Sequence, residues 1–170
     1  AEVGAIPKEA ARRVIDATGR HVCPGFIDIH THSDRSVLAC PTADSRVRQG
    51  VTTEVTGNCG PSAAPRFGLE LSNGSKDADD DASVKTDWTD VASYAERLEK
   101  TRISVNHAIL VGQGTLRRSV VGLADRPLTP DETKQLLRAV EEAMDQGAFG
   151  LSTGLEYTPG RWTPTDEIVE

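Results

Sequence analysis

Strand-like and helix-like segments alternate along most of this chain of 170 residues. Runs rich in apolar and β-branched residues occupy positions 23–32, 51–56, 103–112 and 148–155, and segments with helical features lie between them. This order is typical of a parallel sheet whose strands are connected by helices. The pattern therefore predicts an α/β chain with about four parallel strands.

The helices are predicted from their end signals and from the spacing of their apolar residues. A short helix is expected within 41–49, and a longer one at 88–100. A third begins at Thr129, which can cap it together with Glu132, and ends at Gly147. A last helix is expected to begin after residue 162.

Polar residues suited to chemistry follow the predicted strands. Those at or just after a strand's carboxyl end are His30, His32, Cys59, Gln113, Arg117, Glu156 and Tyr157. In (β/α)8 barrels this end of the strands builds the active site. Because four strands cannot close an eight-stranded barrel, the chain is predicted to be half of such a barrel or an open parallel sheet, with 113–118 as a loop after the third strand.

The clearest candidate metal ligands are His30 and His32, at the end of the first strand. Residues two apart on a strand point to the same side, so the two imidazoles project together. Neutral imidazole binds zinc well. The alternative is a pair of surface histidines at a strand edge.

Cys59 lies between glycines in the segment Gly-Asn-Cys-Gly at 57–60. A thiolate is a strong zinc ligand, and flanking glycines let the backbone turn sharply beside a site. The alternatives are a buried structural thiol or a nucleophile, which needs His21 or His107 as its base.

Four further residues are candidates for a supporting role. Asp28 precedes His30 by two positions, so it can orient a ligand or be an ordinary interior carboxylate. Glu156 is either a ligand or acid–base group, or a solvent-facing glutamate. Tyr157 and Arg117 are predicted substrate contacts, because an arginine fork matches a carboxylate.

Composition excludes several classes of function. The net charge of −7 and a pI near 5.1 argue against a nucleic-acid partner. No apolar run reaches the ~18 residues of a membrane span, and the first residues contain no signal-peptide core. Three unevenly spaced cysteines predict free or metal-bound thiols in a reducing cytoplasm, with a single disulfide as the alternative.

Two regions differ from the strand–helix pattern. Residues 1–22 are predicted to form a small β element beside the main domain, with strands near Ile6 and over 14–20, and a turn at 17–19. Residues 66–87 are predicted to be a polar acidic loop.

Three motifs, at residues 22–32, 49–60 and 147–157, carry a resemblance to a known family. The first resembles the opening of the amidohydrolase superfamily. The second and third, and above all the Gly-Asn-Cys-Gly segment, resemble the N-acyl-D-amino-acid deacylases, or D-aminoacylases. The resemblance extends over nearly the whole chain, and the acidic loop is its least similar part.

The resemblance implies a (β/α)8 TIM-type barrel with a small β-sandwich. Residues 23–170 would be the first half of the barrel and 1–22 a remnant of the sandwich. It also implies a zinc cofactor, with His30 and His32 as the family's histidine pair and Cys59 as its cysteine ligand. The implied reaction hydrolyses an N-acyl-D-amino acid to a carboxylate and a D-amino acid, with Tyr157 helping to hold the substrate.

Two departures from the family pattern bear on catalysis. Gln113 occupies the place of a family histidine after the third strand. The family's later histidines and its catalytic aspartate come from strands five to eight, so the general base is expected beyond the end of this chain. Whether this chain acts alone as an enzyme therefore stays open.

Two other functions are considered. A dihydroorotase or hydantoinase relative would carry a lysine on the fourth strand, and none lies between Phe149 and Tyr157. The other is a truncated, non-catalytic half-barrel that associates with itself or another chain through exposed sheet edges.

Overall fold

The computed structural model describes residues 11–69 and 84–170, together with Gly4 and Pro7. Its four strands form a parallel sheet and lie side by side in chain order. They are β1 (Phe26–Asp28), β2 (Val51–Thr56), β3 (Asn106–Gly112) and β4 (Gly150–Ser152). The predicted α/β chain with four parallel strands, half of a barrel, is thereby confirmed.

Helices connect these strands. They are α1 (Ser36–Ala39), α2 (Asp44–Val47), α3 (Val91–Thr101), α4 (Gln113–Val121), α5 (Pro130–Asp145) and α6 (Thr165–Val169), with a 3-10 turn at Gly160–Trp162. Within the described residues, no helix has the length and apolar content needed to cross a bilayer.

The start of α5 shows why these boundaries were predictable. The Thr129 hydroxyl accepts a hydrogen bond from the Glu132 backbone N–H at 3.4 Å, and the Glu132 carboxylate accepts one from the Thr129 N–H at 2.7 Å. Each bond satisfies a donor that a helix terminus otherwise leaves without a partner. The capping box predicted from sequence is confirmed, and α3 has another at Asp90.

The core lies between the sheet and the helices. Aliphatic side chains supply most of it, with Trp88 and Tyr94 as its aromatic members, and the Trp88 ring N–H donates to the Ala63 carbonyl at 2.8 Å. In contrast, the outer strands are poorly covered, because Phe26 and Ile27, on opposite faces of β1, are 58% and 62% exposed. Phe149, beside β4, is 76% exposed.

Several predicted bounds were wrong in detail, since β3 begins at Asn106 and not at 103, and β4 covers only Gly150–Ser152 of the predicted 148–155. The first strand ends at Asp28, four residues before its predicted end, because the chain bends at His30. Residues 113–118 belong to α4 and do not form a loop. Packing explains this helix, since the Leu116 side chain is fully buried and the Thr115 N–H donates to the Gly60 carbonyl at 3.2 Å.

Between residues 1 and 10 only Gly4 and Pro7 are described, so the strand predicted near Ile6 lies outside the described residues. Residues 14–20 contain no strand, because no described strand lies beside them for pairing. The predicted turn is present, with the Arg20 N–H donating to the Ala17 carbonyl at 2.9 Å. Of the predicted acidic loop, residues 70–83 lie outside the described residues, and the β-sandwich assignment of 1–22 stays a prediction.

Candidate metal centre

His30 and His32 lie in the bend that follows β1. The Thr31 N–H between them donates to the Val55 carbonyl at 3.1 Å, so this segment still follows the edge of β2. The two imidazole rings lie edge to face with their centroids 5.5 Å apart. They therefore face a common space, although they do not belong to a strand.

Cys59 lies in a tight turn after β2. Its φ of 61° is left-handed, as are those of Gly57 (77°) and Gly60 (92°). A Cβ at Gly57 would lie 2.0 Å from the Leu110 carbonyl oxygen, so only glycine fits there. The turn directs the thiol to within 3.2 Å of His30 Nε2.

One donor atom each from His30, His32 and Cys59 lies within 4.8 Å of the other two. No other group of three His, Cys, Asp or Glu side chains in the described ranges 11–69 and 84–170 is so close. In a tetrahedral zinc site, bond lengths near 2.05 Å to nitrogen and 2.3 Å to sulfur place these ligands about 3.5 Å apart. The two imidazoles and the thiol, with donor atoms within 4.8 Å of one another and one pair at 3.2 Å, are therefore close enough to bind one zinc ion.

β4 contacts residues 57–60, the turn that carries Cys59 and is called the cysteine turn below. The Ser152 hydroxyl donates to the Gly57 carbonyl and accepts from the Gly60 N–H at 3.1 Å. A Cβ at Gly154 would lie 1.7 Å from the Cys59 carbonyl oxygen. Backbone contact between the β4 loop and the cysteine turn therefore requires glycine at position 154.

A cavity of about 480 Å³ opens beside the donor group. Its lining comprises His32, Cys59, Gly60, Pro61, Gly114, Arg118, Gly154, Tyr157, Thr158 and Gly160. Arg118 brings a guanidinium group to this lining, which also contains the imidazole of His32. A bound small molecule would therefore lie against two of the three donor residues and within reach of an arginine and a tyrosine.

Of the two predicted substrate contacts, Tyr157 lines the cavity and Arg117 does not. The Arg117 side chain is fully buried, and its guanidinium donates to both carboxylate oxygens of Glu167. Gln113 is also buried, and it donates to Thr163 Oγ1 at 2.8 Å and Glu167 at 3.3 Å. Both side chains fasten α4 to the last helix.

The remaining candidates lie outside the donor group. Asp28 accepts from the backbone N–H of His30 at 3.3 Å, so it shapes the bend. Glu156 is exposed and does not line the cavity. His107, one of the two possible bases for a nucleophilic Cys59, has a side chain that is 3% exposed and lies 3.3 Å from Glu54, and burial lowers its pKa.

Sequence reasoning missed Asp34, which lies two residues after His32. Burial raises the pKa of this carboxyl to about 6, and backbone N–H groups of Ala63 and Gly57 oppose the shift only in part. Its Oδ1 atom is buried and lacks a hydrogen-bond partner among the described residues. No motif marks this residue, because its environment is created by the turn at 57–63.

Comparisons with known proteins show which family this chain is similar to. A model described as "Amidohydrolase family" matches residues 13–161. A D-aminoacylase from Alcaligenes xylosoxydans xylosoxydans is 38% identical over 170 residues, which are 100% of this chain and 35% of that protein. An N-acyl-D-aspartate deacylase from the same organism is 40% identical over 92% of this chain and 31% of its own length.

Solved structures show the same relationship. An N-acyl-D-glutamate deacylase from Bordetella bronchiseptica, complexed with zinc and a phosphonate inhibitor, superposes with a TM-score of 0.80 and 34% identity over 98% of this chain and 34% of its own. A D-aminoacylase described with a binuclear metal centre gives a TM-score of 0.74 and 36% identity over 86% of this chain and 30% of its own. The chain spans about a third of the length of the curated relatives it matches.

Proposed function

Because this chain belongs to the amidohydrolase family, we propose that it is the zinc-binding part of an enzyme that hydrolyses N-acyl-D-amino acids. Water cleaves the amide bond, giving a carboxylate and a free D-amino acid. The observation that carries the proposal is the convergence of His30, His32 and Cys59 within 4.8 Å. The names of the relatives supply the substrate class.

The donor atoms would hold the metal from two neighbouring segments, with His30 and His32 after β1 and Cys59 after β2. A zinc ion bound there would supply Lewis-acid chemistry, which polarises the carbonyl of an amide bond. His32 and Cys59 also line the cavity, so a bound acyl group would lie beside the metal ligands.

The cavity offers a partner for the substrate carboxylate. We assign this contact to Arg118, because it lines the cavity whereas Arg117 does not. An arginine fork can bind both oxygens of a carboxylate. Tyr157, also in the lining, is placed to contact the rest of the substrate.

The general base is proposed to come from a part of the complete enzyme outside these 170 residues. Asp28 accepts a backbone hydrogen bond and Glu156 faces solvent, so neither lies in the donor group. The three free cysteines support a reducing compartment such as the cytoplasm.

We also propose that the outer strands pair with further protein, in the complete barrel or in another copy of the chain. Phe26, Ile27 and Phe149 are each more than half exposed, and they lie on or beside β1 and β4, the edges of the sheet. Sedimentation velocity tests this proposal for the isolated chain. A strictly monomeric chain at all accessible concentrations would contradict self-association.

Zinc binding by the metal-free chain tests the metal site. Chelator-competition titration should give one tightly bound zinc per chain, and cobalt substituted for zinc should show a thiolate charge-transfer band in the near ultraviolet. Cys59→Ser should lose the band and most of the affinity. Cys40→Ser is the matched control, because Cys40 is exposed and outside the donor group. Equal affinity in all three proteins would contradict the site.

The substrate class is tested by calorimetry on the zinc-loaded chain. N-acetyl-D-glutamate should bind, and its diamide, which lacks both carboxylates, should bind at least ten-fold more weakly. Arg118→Met should abolish this preference. Equal binding of the acid and the diamide would contradict the carboxylate contact without affecting the zinc result.

A further inference from the structure

The side-chain amide of Asn58 connects the two segments that carry the donor residues. Its Nδ2 group donates to the Val55 carbonyl at 2.8 Å and to the Thr31 carbonyl at 3.3 Å. Thr31 separates the two histidines, and Asn58 immediately precedes Cys59. We propose that Asn58 is a positioning residue that sets zinc affinity by holding the histidine pair and the cysteine at a fixed separation, an inference that rests on the proposed zinc site.

The bridge is well suited to fix a distance. Asn58 is 8% exposed and Thr31 is 3% exposed, so water has little access to compete for these hydrogen bonds. Thr31 also donates its own N–H to the Val55 carbonyl at 3.1 Å. The Val55 carbonyl of β2 therefore accepts hydrogen bonds from both segments, one from the Asn58 side-chain amide and one from the Thr31 backbone N–H.

A second contact restrains the segment at 30–33, called the histidine segment, at the residue after His32. The Ser33 hydroxyl donates to the buried Glu54 carboxylate at 2.7 Å, and the Thr31 hydroxyl lies 3.1 Å from the Ser33 hydroxyl. His32 is thus held between two residues that are fastened to β2. From the turn that carries Cys59, the side chains that reach the histidines and Thr31 are Asn58 and the thiol itself. In the opposite direction, the Asp34 carboxyl faces the backbone N–H groups of Gly57 and Ala63.

Loss of the Asn58 amide removes no donor atom from the metal group. It removes one of the contacts that hold the turn at 57–60 against the histidine segment. Part of the zinc-binding free energy must then be spent on bringing the three donors together. Groups that orient metal ligands typically contribute 10- to 100-fold in affinity. The thiolate–cobalt band should persist, because Cys59 is still present.

Asn58→Ala tests this role against Asn106→Ala as the matched control. Asn106 also donates its Nδ2 to a β2 carbonyl, that of Thr52 at 2.9 Å, but at the opposite end of the strand. Zinc affinity by chelator competition and the melting temperature of the metal-free chain are measured for both. We expect Asn58→Ala to bind zinc roughly 10- to 100-fold more weakly and Asn106→Ala to bind it as the unchanged chain does.

Equal zinc affinities for the two variants would overturn the role of Asn58, whatever their melting temperatures. If Asn58→Ala does not fold, Asn58→Ser replaces it, since a hydroxyl is too short to reach both carbonyls. The same weakening is then expected, and unchanged affinity would again overturn the inference. Absence of zinc binding in the unchanged chain would instead contradict the proposed metal site, so the two failures are distinguishable.

Discussion

His30 Nε2 and Cys59 Sγ lie 3.2 Å apart, although the two residues are 29 positions apart in the chain. A metal bound between them would engage the thiolate and block its reaction with alkylating agents. We expect zinc to slow alkylation of Cys59 by at least ten-fold, while the exposed Cys23 and Cys40 react as before. Peptide mass spectrometry after timed iodoacetamide treatment measures all three thiols, and EDTA should restore the rate at Cys59. Equal protection of the three thiols would contradict the prediction.

Gly154 is predicted to be irreplaceable beside the cysteine turn. Gly154→Ala would place its Cβ 1.7 Å from the Cys59 carbonyl oxygen, so one backbone segment must move. We expect a loss of about 1–3 kcal/mol in unfolding free energy, as for other overpacked sites, and weaker zinc binding. Gly150→Ala is the control, because its Cβ would meet only Leu110 Cδ2 at an ordinary 3.5 Å. Similar zinc affinity and urea midpoints for both variants would refute this account.

Arg117 is predicted to stabilise the fold rather than contact substrate. Arg117→Met would leave Glu167, whose side chain is 6% exposed, without its guanidinium partner. Breaking a buried ion pair on one side costs about 3–5 kcal/mol. Urea unfolding should show this loss, and the double replacement Arg117→Met with Glu167→Leu should recover much of it.

The exposed pair Arg48–Asp44 provides a contrast for this measurement. Its charged atoms are 3.7 Å apart and its side chains are 82% and 67% exposed. Arg48→Met should change the unfolding free energy by about 0.5 kcal/mol or less. If Arg48→Met lowered the unfolding free energy as much as Arg117→Met, burial of the Arg117–Glu167 pair would not be the cause of the larger expected effect.

Glu132 gives the fold a dependence on acid pH. Hydrogen bonds from Arg126, and then from the Thr129 N–H, lower the pKa of this carboxyl from 4.5 to about 2. Because the folded-state pKa is the lower one, the stabilisation is complete above about 4.5 and is lost as pH falls towards 2. Glu132→Gln removes the charge that pairs with Arg126 and leaves an oxygen that can still accept from the Thr129 N–H. It should therefore cost about 0.5 kcal/mol at pH 7, as loss of an exposed ion pair does, and little at pH 2.

Thermal melts across this pH range measure the effect. Glu141→Gln, an exposed change on the same helix, is the control and should show no such pH-dependent difference. A constant difference between Glu132→Gln and the unchanged chain from pH 7 to pH 2 would rule out the charged form as the source.

Much of the fold was predictable because its signals are local. The strand at 51–56 and the capping box at Thr129 follow from residue types a few positions apart, and both are present. The meeting of His30 and Cys59 followed from a topological rule, since neighbouring parallel strands place their carboxyl ends together. The details of the bend after β1 were not needed for that inference.

In contrast, local signals did not predict which side chains of α4 are buried and which line the cavity. Residues 113–118 were expected to form a loop, but they belong to a helix, in which successive side chains point about 100° apart. That rotation buries Arg117 against Glu167 and places Arg118 at the cavity. The Asn58 hydrogen bonds and the buried environment of Asp34 escaped prediction for a related reason, because both depend on contacts with distant backbone atoms.

The glycines of the cavity wall restrict how this site can evolve. Added Cβ atoms at Gly60, Gly154 and Gly160 would lie within 3.0 Å of backbone atoms, so mutation cannot install side chains there without moving the main chain. Arg118, Tyr157 and Thr158 contribute side chains to the same cavity. Divergence towards new acyl or amino-acid groups is therefore open at Tyr157 and Thr158, while close backbone contacts restrict Gly60, Gly154 and Gly160 to glycine.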